Sequence, residues 1–218
     1  MAERYQINEI FFSVQGEGAF AGTPMVFVRF SGCNLECPWC DTQHQSGRFM
    51  ADEEILNEVL DAAYVGGWNG AHCPSSLPRP PVCFTGGEPL LQLDEDLVFL
   101  LSSMGFPLHI ETNGTLGLPP MPSVFHCITI GPKELPGGTK QAEWMFPLAA
   151  TLELKVVVVG NYVGLMEGWK AYRRFTHHFL QPLTRPDGTT NVDEVLRVLQ
   201  KWPGWRLSVQ LHKILGIR

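Results

Sequence analysis

The chain is expected to fold as an α/β protein built on a mainly parallel sheet, and three observations predict it. Short β-rich runs alternate with helix-patterned stretches, in the order strand, helix, strand, helix, three strands, helix, strand, helix, strand. No repeat, low-complexity tract or linker divides the 218 residues, so residues 1–218 are expected to form one domain. The chemically distinctive residues fall where strands end, the carboxyl edge at which parallel sheets and barrels bind ligands.

Residues 7–23 contain the polar turn Val14-Gln15-Gly16-Glu17-Gly18, too short to cradle a phosphate and explicable as a plain turn. Residues 24–30 are β-rich, with Pro24 tolerated at the first position. Arg29 interrupts that apolar run, and its guanidinium calls for a carboxylate partner. After a loop over 31–48, residues 51–64 place Ile55, Leu56, Val59, Leu60 and Ala63 on one face behind an acidic first turn, which predicts a helix. Residues 66–80 are loop-like, and Trp68 and His72 within them are expected to pack or face water.

Residues 81–85 read as a buried strand entering Gly86-Gly87-Glu88-Pro89, and residues 90–104 as a helix. The paired glycines allow either a tight connection or close approach of a ligand, and ligand approach is the favoured reading. Residues 108–112 form the next strand, ended by the turn Asn113-Gly114, with His109 expected to be a satisfied strand histidine. A strand over 125–130 ends at Gly131-Pro132-Lys133. In the strand over 151–159, alternation puts Glu153 and Lys155 on one face, where mutual pairing is the simplest expectation. A helix over 162–175 closed by His177-His178, a strand end over 179–182, a helix over 192–201 and a last strand over 206–210 complete the chain.

A formal charge of −6 offers no general attraction to nucleic acid, so the expected partner is a small molecule. No apolar run reaches the roughly 18 residues that span a membrane, and residues 1–9 lack the form of a signal peptide, so the expected location is the cytoplasm. Reduced thiols follow from that setting, with Cys73, Cys83 and Cys127 read as small buried side chains.

Cys33, Cys37 and Cys40 stand apart from these. Three thiolates spaced C-x3-C-x2-C, with no fourth cysteine nearby, suit an iron–sulfur cube with one open iron. A closed zinc knuckle borrowing Cys73, Cys83 or His44 remains the alternative at this level.

With Trp39 preceding the third cysteine, the loop resembles the cluster loop of the radical S-adenosylmethionine superfamily. A closer resemblance runs through Asn8-Glu9-Ile10, Gln15-Gly16-Glu17-Gly18, Gly22-Thr23-Pro24, Arg29, Gly32-Cys33 and Trp39-Cys40-Asp41-Thr42. It continues in Thr85-Gly86-Gly87-Glu88-Pro89, Glu111-Thr112-Asn113-Gly114, Gly131-Pro132-Lys133, Gln181-Pro182 and Leu207-Ser208-Val209-Gln210-Leu211-His212-Lys213. These blocks are similar to the 7-carboxy-7-deazaguanine synthase family of queuosine biosynthesis and cover nearly the whole chain.

The resemblance implies a modified, incomplete (β/α) TIM-like barrel of the radical SAM type, working as a homodimer with an electron donor such as a flavodoxin. It implies conversion of 6-carboxytetrahydropterin to 7-carboxy-7-deazaguanine with loss of ammonia, S-adenosylmethionine being regenerated. Cys33, Cys37 and Cys40 would then hold a [4Fe–4S] cluster, and Thr42 a Mg²⁺ ion. Trp39, Cys40, Asp41, Gly87, Glu88, Gly131, Pro132, Lys133, Gln181, Pro182, Leu183 and Thr184 match positions that bind S-adenosylmethionine, while Val14, Gln15, Gly16, Glu17, Arg29 and Thr85 match substrate contacts. Two departures stand out: Gly131 replaces a serine, and Thr184 replaces a serine found in some relatives. The terminal carboxylate contacts substrate in some members; whether Arg218 does so here the resemblance leaves open. The rival readings are a glycyl-radical-enzyme activating enzyme and a zinc-dependent binding module.

Overall fold

A nine-stranded sheet organises the protein. Its computed structural model describes residues 4–67, 79–117, 121–133, 151–160, 162–170 and 175–218. The strands are β1 (Tyr5–Val14), β2 (Pro24–Phe30), β3 (Arg48–Met50), β4 (Val82–Gly86), β5 (Leu108–Thr112), β6 (Phe125–Ile130), β7 (Thr151–Val157), β8 (His177–Gln181) and β9 (Arg206–Leu207). Their spatial order is β3-β1-β2-β4-β5-β6-β7-β8-β9. From β2 to β9 every pairing is parallel, and only β1 runs antiparallel, against β2 and β3. Among the described residues β3 and β9 pair with no further strand, so the sheet is an open, incomplete barrel.

Alternation gives the sheet two faces. Val26, Val28, Phe30, Val82, Phe84, Leu108, Ile110, Ile128, Leu154 and Val156 are fully buried on one of them. Helix α1 (Asp52–Val65) adds Ile55, Val59 and Ala63 to that core, and α2 (Glu95–Ser103) adds Leu97, Val98 and Leu101. Each larger side chain contributes about 1.5–3 kcal/mol by its burial. The inner face carries a small second cluster, Phe11, Met25, Phe27 and Cys83, and above it the polar residues of the site. No described helix is long and apolar enough to cross a membrane.

Several expectations are corrected. The segment before Val14 is a ten-residue strand, hidden because a register shift between Ile7 and Glu9 breaks its alternation. The stretch 90–104 splits into a 3-10 turn (Pro89–Leu91) and α2, since the Asp94 carboxylate accepts the Leu97 N–H at 3.2 Å and starts the helix there. Helix α3 spans Tyr162–Lys170; residues 171–174 lie outside the described residues, as do Trp68, His72 and Cys73. His177 and His178 belong to β8 instead of closing a helix. After α4 (Val192–Lys201), β9 is only two residues long and a short helix, α5 (Leu211–Leu215), follows it.

Candidate active site

Register sets the site's frame. Arg29 lies opposite Thr85 across β2 and β4, and Glu111, Thr129 and Glu153 stand in line across β5, β6 and β7. Two residues beyond Glu153, Lys155 shares its face. Strand geometry alone therefore turns a belt of charged and hydroxyl side chains inward.

The turn after β1 folds onto this belt. Val14 pairs with Pro24, so the turn leaves from the amino end of β2, closed by Gln15 N–H to Thr23 O and Gly22 N–H to Gln15 O, both at 2.8 Å. Gly18 has φ 69°, and a Cβ there would fall 2.3 Å from Glu153 Oε2, so only glycine lets the backbone come this close. Ala19 N–H donates to Glu153 Oε1 at 3.0 Å and Gly18 N–H to Ser208 Oγ at 3.1 Å. Glu153 and Lys155, expected from their shared face to pair with each other, do not. Glu153 instead holds the turn and accepts from the Thr129 hydroxyl at 3.3 Å, while Lys155 pairs with Glu17 and, at 3.4 Å, with Glu111.

Glu17 is heavily committed. Besides Lys155, it accepts from Gln181 Nε2 at 3.1 Å and Gln210 Nε2 at 2.9 Å. Burial would raise its carboxyl, but the Lys155 charge and these donors outweigh burial and hold it at about 2. Burial would likewise push the Lys155 ammonium down, yet the carboxylates of Glu111 and Glu17 raise it above its ordinary value. Arg29 has the carboxylate partner its position required: Glu9, at 3.0 Å, with the guanidinium 5.4 Å from the Phe11 ring centre. Its Nε is buried without a partner, as are Trp39 Nε1 and His44 Nδ1.

The cysteine loop is seated on the turn after β4. Gly87 N–H donates to Phe30 O at 3.0 Å, Glu88 N–H to Gly32 O at 2.9 Å, and Gly32 N–H to His44 O at 2.7 Å. A Cβ on Gly86 would lie 2.2 Å from Phe30 O, and one on Gly87 1.8 Å from Gly32 O. The paired glycines are thus required by the chain's own packing, the tight connection that ligand approach was preferred to, although both also line the cleft. Glu88 is fully buried and accepts from Leu90 N–H at 3.1 Å, Thr112 Oγ1 at 2.7 Å and Asn113 N–H at 2.7 Å. Burial pushes its carboxyl up against those bonds.

The three thiols are unbridged; Cys33 and Cys37 are partly buried and Cys40 is exposed. Burial raises the Cys33 and Cys37 thiols, a cost that metal coordination removes by taking the thiolate. Among the described residues no three His, Cys, Asp or Glu side chains are gathered at metal-holding distances. What fits a cluster is the donor set: three soft ligands on one irregular loop, all on one cleft whose lining has no fourth cysteine. Cys83 and Cys127 are buried away from it, their thiols raised by burial, as expected for small core side chains. His109 is likewise a buried neutral histidine, lowered to about 4 by burial and set edge-on to Phe20.

The cleft has two compartments. Both are open to solvent; the outer one, on the side of the cysteine loop, is lined by the thiols, the ends of β4 to β8 and Gln210. The inner one is lined by Glu9, Phe11, Val14, Gln15, Gly16, Arg29 and α5. Glu17, Asp41, Thr42, Thr85, Glu111 and Gln210 line both. Every residue expected at the site lines one or the other, except Glu88 and Pro132, which stand behind the lining. Glu111 and Gln210, two of the strand-end residues, line the cleft as well, and the structure adds Lys155, His212 and Lys213. The Asp41 carboxylate binds Lys213 and, at 3.4 Å, Gln210. Burial would raise Asp41, but Lys213 more than offsets this and lowers it. Leu211 N–H donates to Gly16 O at 2.9 Å, and a Cβ on Gly16 would meet His212 Nδ1 at 2.2 Å, so α5 packs directly on the substrate-side turn.

The chain is similar to known proteins. The sequence profile of the Radical SAM superfamily matches residues 27–122. The 7-carboxy-7-deazaguanine synthase of Bacteroides thetaiotaomicron is 41% identical over 98% of both chains. That of Bordetella pertussis is 34% identical over 98% of this chain and 99% of its own. The crystal structure of QueE from Escherichia coli superposes with a TM-score of 0.68 at 27% identity, covering 95% of this chain and 94% of that one.

Proposed function

The chain belongs to the 7-carboxy-7-deazaguanine synthase family of radical S-adenosylmethionine enzymes, and from that premise we propose how its residues carry out the reaction. The enzyme is a radical S-adenosylmethionine lyase of queuosine biosynthesis, converting 6-carboxy-5,6,7,8-tetrahydropterin to 7-carboxy-7-deazaguanine with loss of ammonia. The observation that carries the assignment of roles is that the cysteine thiols and the Glu17, Lys155 and Glu111 cluster open onto one cleft.

In the outer compartment Cys33, Cys37 and Cys40 hold the [4Fe–4S] cluster. Trp39, Asp41, Gly87, Gly131, Lys133, Gln181, Pro182, Leu183 and Thr184 surround S-adenosylmethionine, with Pro132 shaping the turn from behind. When bound, cluster and S-adenosylmethionine supply the electron and the radical that start the reaction. Glu88 acts indirectly: its three accepted hydrogen bonds fix the turn that carries Gly87. The inner compartment takes the pterin, with Gln15, Glu17, Arg29 and Thr85 as polar contacts and Val14 and Gly16 as backbone walls. Arg29 lines this compartment with part of its side chain exposed beside Glu9, so its guanidinium can meet the anionic end of that substrate.

Thr42 lies on the boundary of the two compartments and is assigned to Mg²⁺, a hard ion that needs few protein oxygens when water and substrate complete its shell. The turn over 14–20 and α5 bound the inner compartment, and the Lys213 and Asp41 pair ties α5 to the cysteine loop. No side chain is assigned as a general base. A homodimer in the cytoplasm, reduced by a donor such as a flavodoxin, completes the proposal.

Family membership disfavours an activating enzyme for glycyl-radical proteins. Anaerobic reconstitution tests the zinc alternative: about four irons and four sulfides per chain, with reductive cleavage of S-adenosylmethionine, are expected. A colourless protein holding zinc through four closed ligands contradicts the assignment.

A further inference from the structure

The Lys155 ammonium stands on the sheet's inner face with 9% of its side chain exposed, and none of the roles above uses it. It contacts Glu17 Oε2 and, at 3.4 Å, Glu111 Oε2. Those carboxylates come from distant parts of the chain, the turn after β1 and the end of β5. Besides Lys155 they are linked through Gln15, whose side chain donates to Glu111 Oε1 at 3.0 Å and accepts the Glu17 N–H at 3.1 Å. Two carboxylates sharing a site of low dielectric do not both stay ionised without a cation between them.

We propose that Lys155 is a positioning residue for the substrate: its ammonium sets the spacing of Glu17 and Glu111 and balances their charge, so that together they accept the amino and amide N–H groups of an aminopyrimidinone edge. This rests on the reading of the inner compartment as a pterin site. Acceptor capacity supports it. Three internal donors occupy Glu17, leaving about one of its four lone-pair positions, whereas Glu111 has two and keeps about two free. Glu111 is also the more open, at 26% side-chain exposure against 12%. The other charged or titratable groups facing the cluster include Cys83 on β4, Cys127 on β6, Glu153 on β7, Asp41 in the cysteine loop, and His212 and Lys213 on α5. None of them is altered in the variants below.

The test titrates 6-carboxytetrahydropterin anaerobically into cluster-loaded protein, without reductant so that no turnover occurs, between about pH 5.5 and 7.5. In Lys155→Met the two carboxylates lose the cation between them and a proton is taken up more readily, so binding relative to wild type weakens as the pH falls, by up to about tenfold per pH unit. Iron content and S-adenosylmethionine affinity stay at the wild-type level. Lys155→Arg, which keeps the charge, restores a ratio independent of pH. Should Lys155→Met not fold, Lys155→Gln, an N–H donor without charge, is judged by the same ratio. A ratio that is flat with pH in the neutral variant, or no loss of affinity, overturns the inference while leaving the pterin reading intact. Absence of pterin binding by the wild type overturns both.

Discussion

Gly87 and Gly32 lie backbone against backbone, so close that a Cβ on Gly87 would fall 1.8 Å from the Gly32 carbonyl oxygen. That oxygen also accepts the Glu88 N–H at 2.9 Å, so the turn after β4 and the start of the cysteine loop form one unit. In Gly87→Ala the neighbour to be displaced is main chain, and the expected cost is about 2 kcal/mol or more. Iron per chain after reconstitution is expected to fall together with the melting temperature. Wild-type iron loading in a stable Gly87→Ala protein would show that the loop does not depend on this contact.

Glu17 sets an acid limit on stability. Its carboxyl, ordinarily near 4.5, is held at about 2 despite burial by the Lys155 charge and its hydrogen-bond donors. A carboxyl lowered on folding contributes stability above its unfolded value and loses that contribution as pH falls through the folded one. Glu17→Gln is expected to cost about 3–5 kcal/mol at neutral pH, because Lys155 loses a buried partner. Urea unfolding at a series of pH values should show this difference shrinking between about 4.5 and about 2. A difference that stays constant down to pH 2 would place the stabilisation elsewhere.

What the sequence revealed follows how local each signal was. The cysteine spacing, the glycine turns and the β-rich runs of β2, β4 and β7 depend on residues a few positions apart, and all reappear in the structure. The strand β1 was hidden by the irregularity between Ile7 and Glu9. The stretch after β9 alternates like a strand, yet Ser208 turns inward to Gln181 at 3.1 Å and Gln210 to Glu17, which ends the sheet and starts α5. The site's electrostatic centre was least legible. Glu17 meets Lys155, Gln181 and Gln210 at separations of 138, 164 and 193 residues, which no periodicity encodes. Arg29 likewise was expected to have a carboxylate partner, but its source, Glu9 of the unforeseen strand, was not legible.

At Gly131, where the resemblance led to the expectation of a serine, the structure has room for a side chain. A Cβ would meet Lys133 Nζ, the end of a flexible side chain, at 3.3 Å, and no backbone atom closer than 3.7 Å. Gly131→Ser is expected to leave stability within about 0.5 kcal/mol and to tighten S-adenosylmethionine binding about two- to tenfold through one added hydrogen bond. Calorimetric titration of S-adenosylmethionine checks it, and weaker binding would mean that this turn does not face the cofactor.

Thr42 carries the Mg²⁺ assignment. Thr42→Val is nearly isosteric but lacks the hydroxyl, so turnover should lose its dependence on the ion along with most of its rate, while cluster absorbance is unchanged. An identical Mg²⁺ response in both proteins would remove Thr42 from the metal's shell.

The most direct measurement is anaerobic incubation of the reconstituted protein with S-adenosylmethionine, Mg²⁺, a reductant and 6-carboxytetrahydropterin, with products resolved by mass. The predicted result is 7-carboxy-7-deazaguanine formed over many turnovers with ammonia released in equal amount and S-adenosylmethionine not consumed in proportion. A cluster-loaded protein that cleaves S-adenosylmethionine yet leaves this pterin unchanged, while placing a radical on a glycyl peptide, would contradict the account.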